Sequence, residues 1–311
     1  MKSRLHAHIG TFRQLEILLA VYEHKSIKEA SEALYLSQPT ISMQLKKLAE
    51  SINLPLYHQI GRKLQFTEAG QAMVETAREI LQSCEQLDME LSSLRGLKSG
   101  TLKLAVVTTA KYFIPYLLGP FCEKFPGIDI KLTVGNRQQI IERLENGDDD
   151  FYVFSHLPTT LTLETIEFIS NQLVAIAPLG HPLAEKSSIS LQEFCQYDFL
   201  AREQGSGTRY AIEKFFASKE LSPKTKMTIE SNEAIIHSTI AGLGISILSA
   251  HTIAFGGKYD LVKLPVQDLK IDSSWSLAWR PESKQSMIAR EFAQYVQSEG
   301  KAGLSKKYSF M

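Results

Sequence analysis

The sequence predicts an α/β protein with a helical, winged head, one long helix and a large α/β body. Three observations point there. Ser26 to Ile52 reads as two short helices broken by a tight turn, the 28 residues after Thr67 repeat apolar positions every three or four residues, and from Thr101 onward the pattern changes to short apolar strands alternating with helices. With 311 residues, 44% hydrophobic and 22% charged, the chain is long enough to bury two or three cores.

The head comes first. Phe12 to Tyr22 carries a stripe of Leu15, Leu18, Leu19 and Tyr22 suited to pack beneath two further helices. Ser26 is placed to cap the next helix, with Glu29 completing a capping box, and Ile27, Ala30, Ala33 and Leu34 share one face. Tyr35 to Ser37 form the turn. Ser37 caps the second helix of the pair, and Pro39 sits in its first turn, where a missing N–H costs nothing. Ile41, Leu45 and Leu48 bury one side of that helix, while Thr40, Met43, Gln44, Lys46 and Lys47 lie opposite. Such an arrangement is a helix-turn-helix, whose second helix enters the DNA major groove. On this stretch alone an ordinary helical hairpin fits as well. Leu54 to Tyr57 and Leu64 to Phe66 then flank Gly61-Arg62-Lys63, a hairpin with a basic tip that forms a wing.

The run F-x-x-L-x-I-L-L-A-V from Phe12, A-x-x-A-L-x-L-S-Q-P-T-I-S-x-Q-L-x-x-L from Ala30 to Leu48, L-P-L-Y from Leu54, and L-x-F-T-E-A-G ending at Gly70 resemble the LysR-type transcriptional regulators. The resemblance implies specific binding of double-stranded DNA. We expect Ser37, Gln38, Pro39, Thr40, Ser42 and Gln44 to face base edges, with Lys46, Arg62 and Lys63 on phosphates. Charge agrees: residues 1–66 hold nine Lys/Arg against five Asp/Glu, leaving 25 against 29 in the remainder of a chain of zero net charge.

Thr67 is placed to cap a helix from Glu68 to about Arg95, stopped by Gly96 and Gly100. At 1.5 Å per residue it spans about 40 Å, too long to bury its stripe within the head. Val74, Leu81, Leu87 and Leu91 are expected to form a seam with the same helix of a second chain, giving a homodimer or homotetramer; packing on its own body is the alternative. The domain boundaries follow: a winged head at 1–66, a linker helix and hinge at 67–99, and an effector-binding body at 100–311.

Within the body, LKLAVV, IDIKLTV and FYVFS alternate with helices at Tyr112 to Lys124 and Gln138 to Asn146, as in a parallel sheet. A second series runs from Leu173-Val174-Ala175-Ile176-Ala177 through DFLA, MTIE and ISIL to Leu261–Leu264. SWSLAW and a helix from Ser286 to Ser298 follow. The family resemblance implies that these last elements return to the first lobe, giving a body of the periplasmic-binding-protein type with lobe I at about 100–169 and 273–298 and lobe II at about 170–272. Gly300 to Met311 reads as a loose tail.

Ligands in open α/β sheets sit at strand C-termini beside helix N-termini, whose free amides favour anions. Thr108 and Thr109 follow the first body strand, and Ser206, Gly207, Thr208 and Arg209 open a helix. Asn136 and Asn232 stand at equivalent strand ends. These eight residues are the expected site for a small anionic metabolite, although GSGT taken alone also suits a plain loop. N-R-Q-Q-I-I-E-R-L, R-E-x-G-S-G-T-R and S-N-E-A-I resemble the LysR-type regulators of carbon fixation and inorganic-carbon uptake, which implies a phosphorylated or carboxylated effector. That group often has a basic residue after S-N-E-A-I, where this chain has Ile236 and His237; His237 either replaces the cation or lies on the helix surface.

Catalysis is not expected. Ser206, His237 or His251 and Asp148 to Asp150 supply the residue types of a triad but no nucleophile elbow, GDDD reads as a solvated turn, and Gly242-Leu243-Gly244 lacks the third glycine of a dinucleotide fingerprint. No cofactor or metal is implied: His6-x-His8 offers two ligands only, and Cys84, Cys122 and Cys195 are far apart and odd in number. The N-terminal stretch lacks a signal's apolar region and no run is long enough for a membrane span, so a soluble cytoplasmic protein is expected. RNA polymerase is a candidate partner. The rival reading is a cytoplasmic small-molecule sensor without DNA function.

Overall fold

The computed structural model describes residues 10–60, 63–94, 99–255 and 259–308. The chain divides into two compact units, Met1–Leu94 and Arg95–Met311.

In the first unit, α1 (Phe12–His24) starts at Thr11, whose hydroxyl accepts from the Gln14 amide while the Gln14 side chain accepts from the Thr11 amide. Helix α2 (Ile27–Ala33) is capped by the Ser26 hydroxyl on the Glu29 amide. The expected box is only half formed, because the Glu29 carboxylate lies 3.9 Å from His24 Nδ1 instead. Tyr35 takes a left-handed conformation in the turn (φ 54°), and Ser37 caps α3 (Gln38–Ile52) with Pro39 in the first turn. Ile41, Leu45 and Leu48 of α3 meet Ile17, Leu18 and Val21 of α1 and Ala30 of α2 in one core. Strands β1 (Tyr57–Ile60) and β2 (Lys63–Phe66) pair antiparallel, Tyr57 opposite Phe66, as the wing.

Helix α4 (Glu68–Leu94) is anchored at its start: the Thr67 hydroxyl accepts from the Gly70 amide and donates to the Pro55 carbonyl. A Cβ at Gly70 would sit 1.9 Å from the Leu56 carbonyl oxygen, so only glycine lets the helix approach the wing this closely. Val74 belongs to the head core, 1% exposed, and is thus removed from the seam assigned to it above; a valine one turn and a half into the helix is still within reach of Leu18 and Leu48. Leu81 is half-buried, whereas Leu87 and Leu91 are 56% and 43% exposed.

The second unit has two lobes. Lobe I holds β3 (Ser99–Val107), a 3-10 turn at Ala110–Tyr112, α5 (Ile114–Lys124), β4 (Gly127–Gly135), α6 (Arg137–Asn146) and β5 (Phe151–Phe154). Strands β4, β3 and β5 run parallel. Next comes β6 (Glu164–Pro178), whose first part pairs with the later β11 (Asp272–Trp279) and whose end, from Leu173, is flanked in lobe II by β9 (Ser246–Ser249) and β10 (Leu261–Lys263). The strand expected to begin at Leu173 is therefore the second half of one continuous strand that crosses between lobes. Between β6 and β9 lie a 3-10 turn at Pro182–Glu185, α7 (Leu191–Phe194), β7 (Asp198–Arg202), α8 (Gly207–Ala217), β8 (Lys224–Ile229) and α9 (Asn232–Ile240); β7 and β8 are parallel, and a bridge from Phe199 to Ile245 joins them to β9. Helix α10 (Ala250–Phe255) follows β9.

Each lobe has its own core, one around Phe113, Phe121, Phe151, Trp275 and Phe292, the other around Phe194, Phe199, Phe216 and Ile247. Strand β11 runs antiparallel to β5, so lobe I is mixed rather than wholly parallel. The C-terminus corrects the expected loose tail. After α11 (Met287–Tyr295), a π turn at Val296–Gly300 leads into α12 (Lys301–Tyr308), held by Leu304, which is 2% exposed in the lobe I core. GDDD is likewise not a solvated turn: Asp149 is buried and takes a bidentate pair from Arg143 at 2.7 and 3.0 Å.

Candidate nucleic-acid interface and ligand cleft

The outer face of α3 presents Gln38, Pro39, Ser42 and Lys46 to solvent, with Thr40 half-buried. The Ser37 hydroxyl is partly committed, accepting from the Thr40 amide at 3.3 Å and sharing a 2.8 Å bond with the Thr40 hydroxyl. Gln44 is also held, its Oε1 accepting from Gln14 of α1 at 3.1 Å, which leaves its amide group for an outside acceptor. Lys46 lies 3.9 Å from Glu50 with both side chains well exposed, a pair too weak to withhold the ammonium from a phosphate. Arg62 lies outside the described residues, as do His6, His8 and the Lys63 side chain. Tyr35 was not singled out from sequence, yet its ring is 95% exposed at the turn before α3; a large aromatic in a turn was the available signal.

In the body, the structure brings Thr109, Ser206, Gly207 and Asn232 to the facing edges of the lobes. Thr109 is buried after β3, and its Oγ1 accepts from Asn232 Nδ2 of lobe II at 3.4 Å. Asn232 is fully buried and in turn accepts from Arg202, whose guanidinium also binds the Glu203 carboxylate at 2.7 and 2.9 Å. Beside them Lys111 meets Glu233 at 2.8 Å across the lobes. Burial raises the Glu233 carboxyl, but Lys111, the α9 amide, Ser231 and Tyr112 outweigh it and hold it near about 2. Farther along, the Gln138 amide of α6 donates to the Gly205 carbonyl at 3.2 Å, and the Arg137 stem rests on Gly207. Gly205 has φ 85° and a Cβ there would meet Gln138 at 3.1 Å, so glycine serves both the turn and the close approach.

Helix α8 begins at Ser206, 4% exposed, whose hydroxyl makes no capping bond. The Thr208 hydroxyl is half-buried and also takes no hydrogen bond among the described residues. The first turn of α8 therefore offers amides and two hydroxyls to one anion. Three expected residues are used otherwise. Thr108 donates its hydroxyl to the Gly135 carbonyl at 3.0 Å, Asn136 caps α6 on the Gln139 amide at 3.0 Å, and Arg209 turns along α8 to Glu213 at 2.6 Å and to the Arg202 carbonyl. Each satisfies a backbone or charge demand of its own lobe first. His237 lies on the exposed side of α9, its ring 6.5 Å from Tyr259, and so takes the surface alternative. His251 is buried and accepts from Trp275 Nε1 at 2.9 Å.

The helix-turn-helix with its wing, and a two-lobed body with a cleft, match known sequence families. Residues 12–71 match the model of the bacterial regulatory helix-turn-helix protein, lysR family, and residues 95–301 match the LysR substrate binding domain. The chain belongs to the LysR family of transcriptional regulators. As such a regulator it binds DNA through its head and is not an enzyme, and the rival sensor without DNA function falls with that match. It is 42% identical over 288 residues to the HTH-type transcriptional activator CmpR of Synechocystis sp., covering 92% of this chain and 95% of that one. A RuBisCO operon transcriptional regulator of Acidithiobacillus ferrooxidans is 38% identical, covering 92% and 93%. Among solved structures, the regulatory domain of CcmR from Synechocystis PCC6803 in complex with 2-PG aligns with a TM-score of 0.63 at 40% identity over 65% of this LysR-family chain and 98% of that domain. Full-length CbnR complexed with its target DNA shares the fold, with a TM-score of 0.67 at 24% identity over 92% and 99%. Among the described residues, no helix of this regulator is long and apolar enough to cross a membrane.

Proposed function

We propose that this regulator binds a small anionic metabolite of carbon metabolism, phosphorylated or carboxylated, in the cleft between its lobes. Thr109, Ser206, Gly207, Thr208 and Asn232 form the contact set, with Thr108, Asn136 and Arg209 shaping its margins. The observation that carries the reading is the start of α8, where Ser206 is buried with an uncapped hydroxyl and Gly205 and Gly207 lie against Gln138 and Arg137 of the other lobe, next to the free first-turn amides. The 40% identical CcmR domain complexed with 2-PG, an anion, supports the same class of ligand.

The unit that reads DNA is a homodimer or homotetramer in the cytoplasm, joined through the exposed Leu87 and Leu91 of α4 together with Leu81. An isolated helix with such a stripe leaves apolar surface in water, and a second copy covers it at roughly 25 cal/mol per Å². An anion entering the cleft replaces the present cross-lobe contacts, so its differential affinity for two lobe arrangements biases which one the paired heads experience. RNA polymerase is the further partner this mode of regulation calls for.

Titration calorimetry of the full chain with 2-phosphoglycolate, followed by DNA-shift assays with and without it, tests the proposal. Saturable binding that changes affinity for an operator fragment supports it. Binding that survives simultaneous Ser206→Ala and Thr208→Val substitution unchanged places the effector elsewhere.

A further inference from the structure

Arg137, the first residue of α6, is a half-buried cation that pairs with no carboxylate among the described residues. Its Nε donates to the His156 carbonyl at 3.0 Å and its Nη2 to the Leu157 carbonyl at 3.2 Å, and Nη1 has no acceptor among the described residues. The guanidinium stacks on the Tyr210 ring of α8 at 4.9 Å, and a Cβ at Gly207 would lie 3.5 Å from Arg137 Cδ. In the same body Arg143, Arg202 and Arg209 each reach a carboxylate at 2.6 to 2.7 Å. Lys214 stands over the Tyr210 ring at 6.0 Å and the His156 ring is 6.0 Å away, while Glu213, three residues on in α8, is taken up by Arg209 at 2.6 Å. Burial pushes the Arg137 guanidinium down, and burial, then Arg137 and Lys214, push the His156 imidazole down. A cation moved out of water without a counter-charge is unfavourable unless an anion arrives to pair with it.

The other end of the cleft differs. Lys111 is also a cation of lobe I facing the start of a lobe II helix, but Glu233 already neutralises it at 2.8 Å. Uncompensated positive charge is therefore concentrated at Arg137, beside the α8 amides and the free hydroxyls of Ser206 and Thr208. These donors outnumber the two oxygens of a carboxylate and suit the three acceptor oxygens and near-double charge of a phosphate monoester.

We propose that Arg137 is the specificity-determining residue of the cleft, taking the effector's phosphate on its free Nη1 at the α8 N-terminus and so selecting phosphorylated over merely carboxylated metabolites. This rests on the cleft being the effector site. Calorimetry on the full chain with 2-phosphoglycolate, glycolate and inorganic phosphate tests it, comparing the parent with Arg137→Gln and Arg137→Lys. Arg137→Gln should weaken 2-phosphoglycolate and phosphate by about tenfold to a hundredfold and leave glycolate within about threefold; Arg137→Lys should recover part of the loss. Equal losses for glycolate and 2-phosphoglycolate would mean that Arg137 only braces the His156 and Leu157 carbonyls, and would overturn the assignment. So would binding indifferent to either substitution, while the cleft reading stood. Failure of the parent to bind any of the three overturns both.

The parent alone gives a second readout. The imidazole of His156 faces Arg137, Lys214 and Tyr210 and shares a 3.2 Å bond with the Ser155 hydroxyl. Its titration followed by NMR should move to higher pH when 2-phosphoglycolate binds and stay in place with glycolate; an unmoved His156 in the saturated phosphate complex overturns the proposal.

Discussion

The Lys111 ammonium lies 2.8 Å from the Glu233 carboxylate and joins the turn after β3 in one lobe to the first turn of α9 in the other. Because Glu233 is held near about 2, below its ordinary 4.5, the pair contributes fully above pH 4.5 and is lost as pH falls toward 2. The two side chains are 33% and 42% exposed, so solvent screening limits the contribution to about 1 kcal/mol. Glu233→Gln should accordingly lower the melting temperature of the body by about 2 to 4 °C at pH 7. That difference should close between pH 5 and about pH 2. A deficit that stays constant down to pH 2 would show that the pair is not its source.

Base reading and backbone contact should separate on α3. Gln38 is exposed at the first position of the helix, where a side-chain amide can pair with adenine, so Gln38→Ala should cost about 1 to 3 kcal/mol at the preferred operator and flatten preference among sequences. Lys46→Ala, by contrast, should weaken all sequences alike and reduce the salt slope by about 1. Fluorescence anisotropy on operator and scrambled duplexes across salt concentrations distinguishes the two, and matching losses of preference would refute the division.

Two positions on α4 that look equivalent in sequence should behave differently. Val74 is in the head core and Leu87 is exposed. Leu87→Lys should leave the head folded and dissociate the assembly in sedimentation, whereas Val74→Lys places an unpaired ion among Leu18 and Leu48 and should unfold the head outright. A folded Leu87→Lys protein of unchanged mass would remove α4 from the interface.

The contrast between these two residues shows what sequence could and could not convey. Periodicity located α3 and α4 because helix spacing and caps such as Ser37 and Thr67 are local signals. It could not say that Val74 joins the head core with Leu18 and Leu48, a placement set by how α4 leaves the wing at Gly70. The same limit explains β6: its second half is apolar enough to read as a new strand at Leu173, while continuity through Ile169 to Gln172 depends on pairing with β11, a hundred residues away. It also explains Leu304, since one buried leucine makes no stripe. In the body, strand-end logic singled out Thr109, Ser206 and Asn232, which the structure buries where the lobes meet. It passed over Arg137, which pairs with no carboxylate among the described residues, a contrast visible only once Arg143, Arg202 and Arg209 are seen to have theirs.

Thr108 and Thr208 allow that distinction to be tested directly. Both are threonines at strand-to-helix junctions, and both were expected to meet the ligand. The Thr108 hydroxyl is already donated to the Gly135 carbonyl, which also accepts the Thr108 amide at 2.8 Å, so it fastens β3 to the end of β4. Thr108→Val should therefore cost about 1 kcal/mol of stability and leave the effector affinity nearly unchanged. The Thr208 hydroxyl has no protein partner among the described residues, and valine keeps its shape, so Thr208→Val should leave the melting temperature alone. It should weaken an anion at the α8 N-terminus by about 1 to 2 kcal/mol, as a lost hydrogen bond to a charged group does. Thermal melts and calorimetry with 2-phosphoglycolate on the two variants give four numbers. If Thr108→Val proves the one that loses affinity, the ligand displaces the Gly135 bond and sits deeper toward β3 than the first turn of α8.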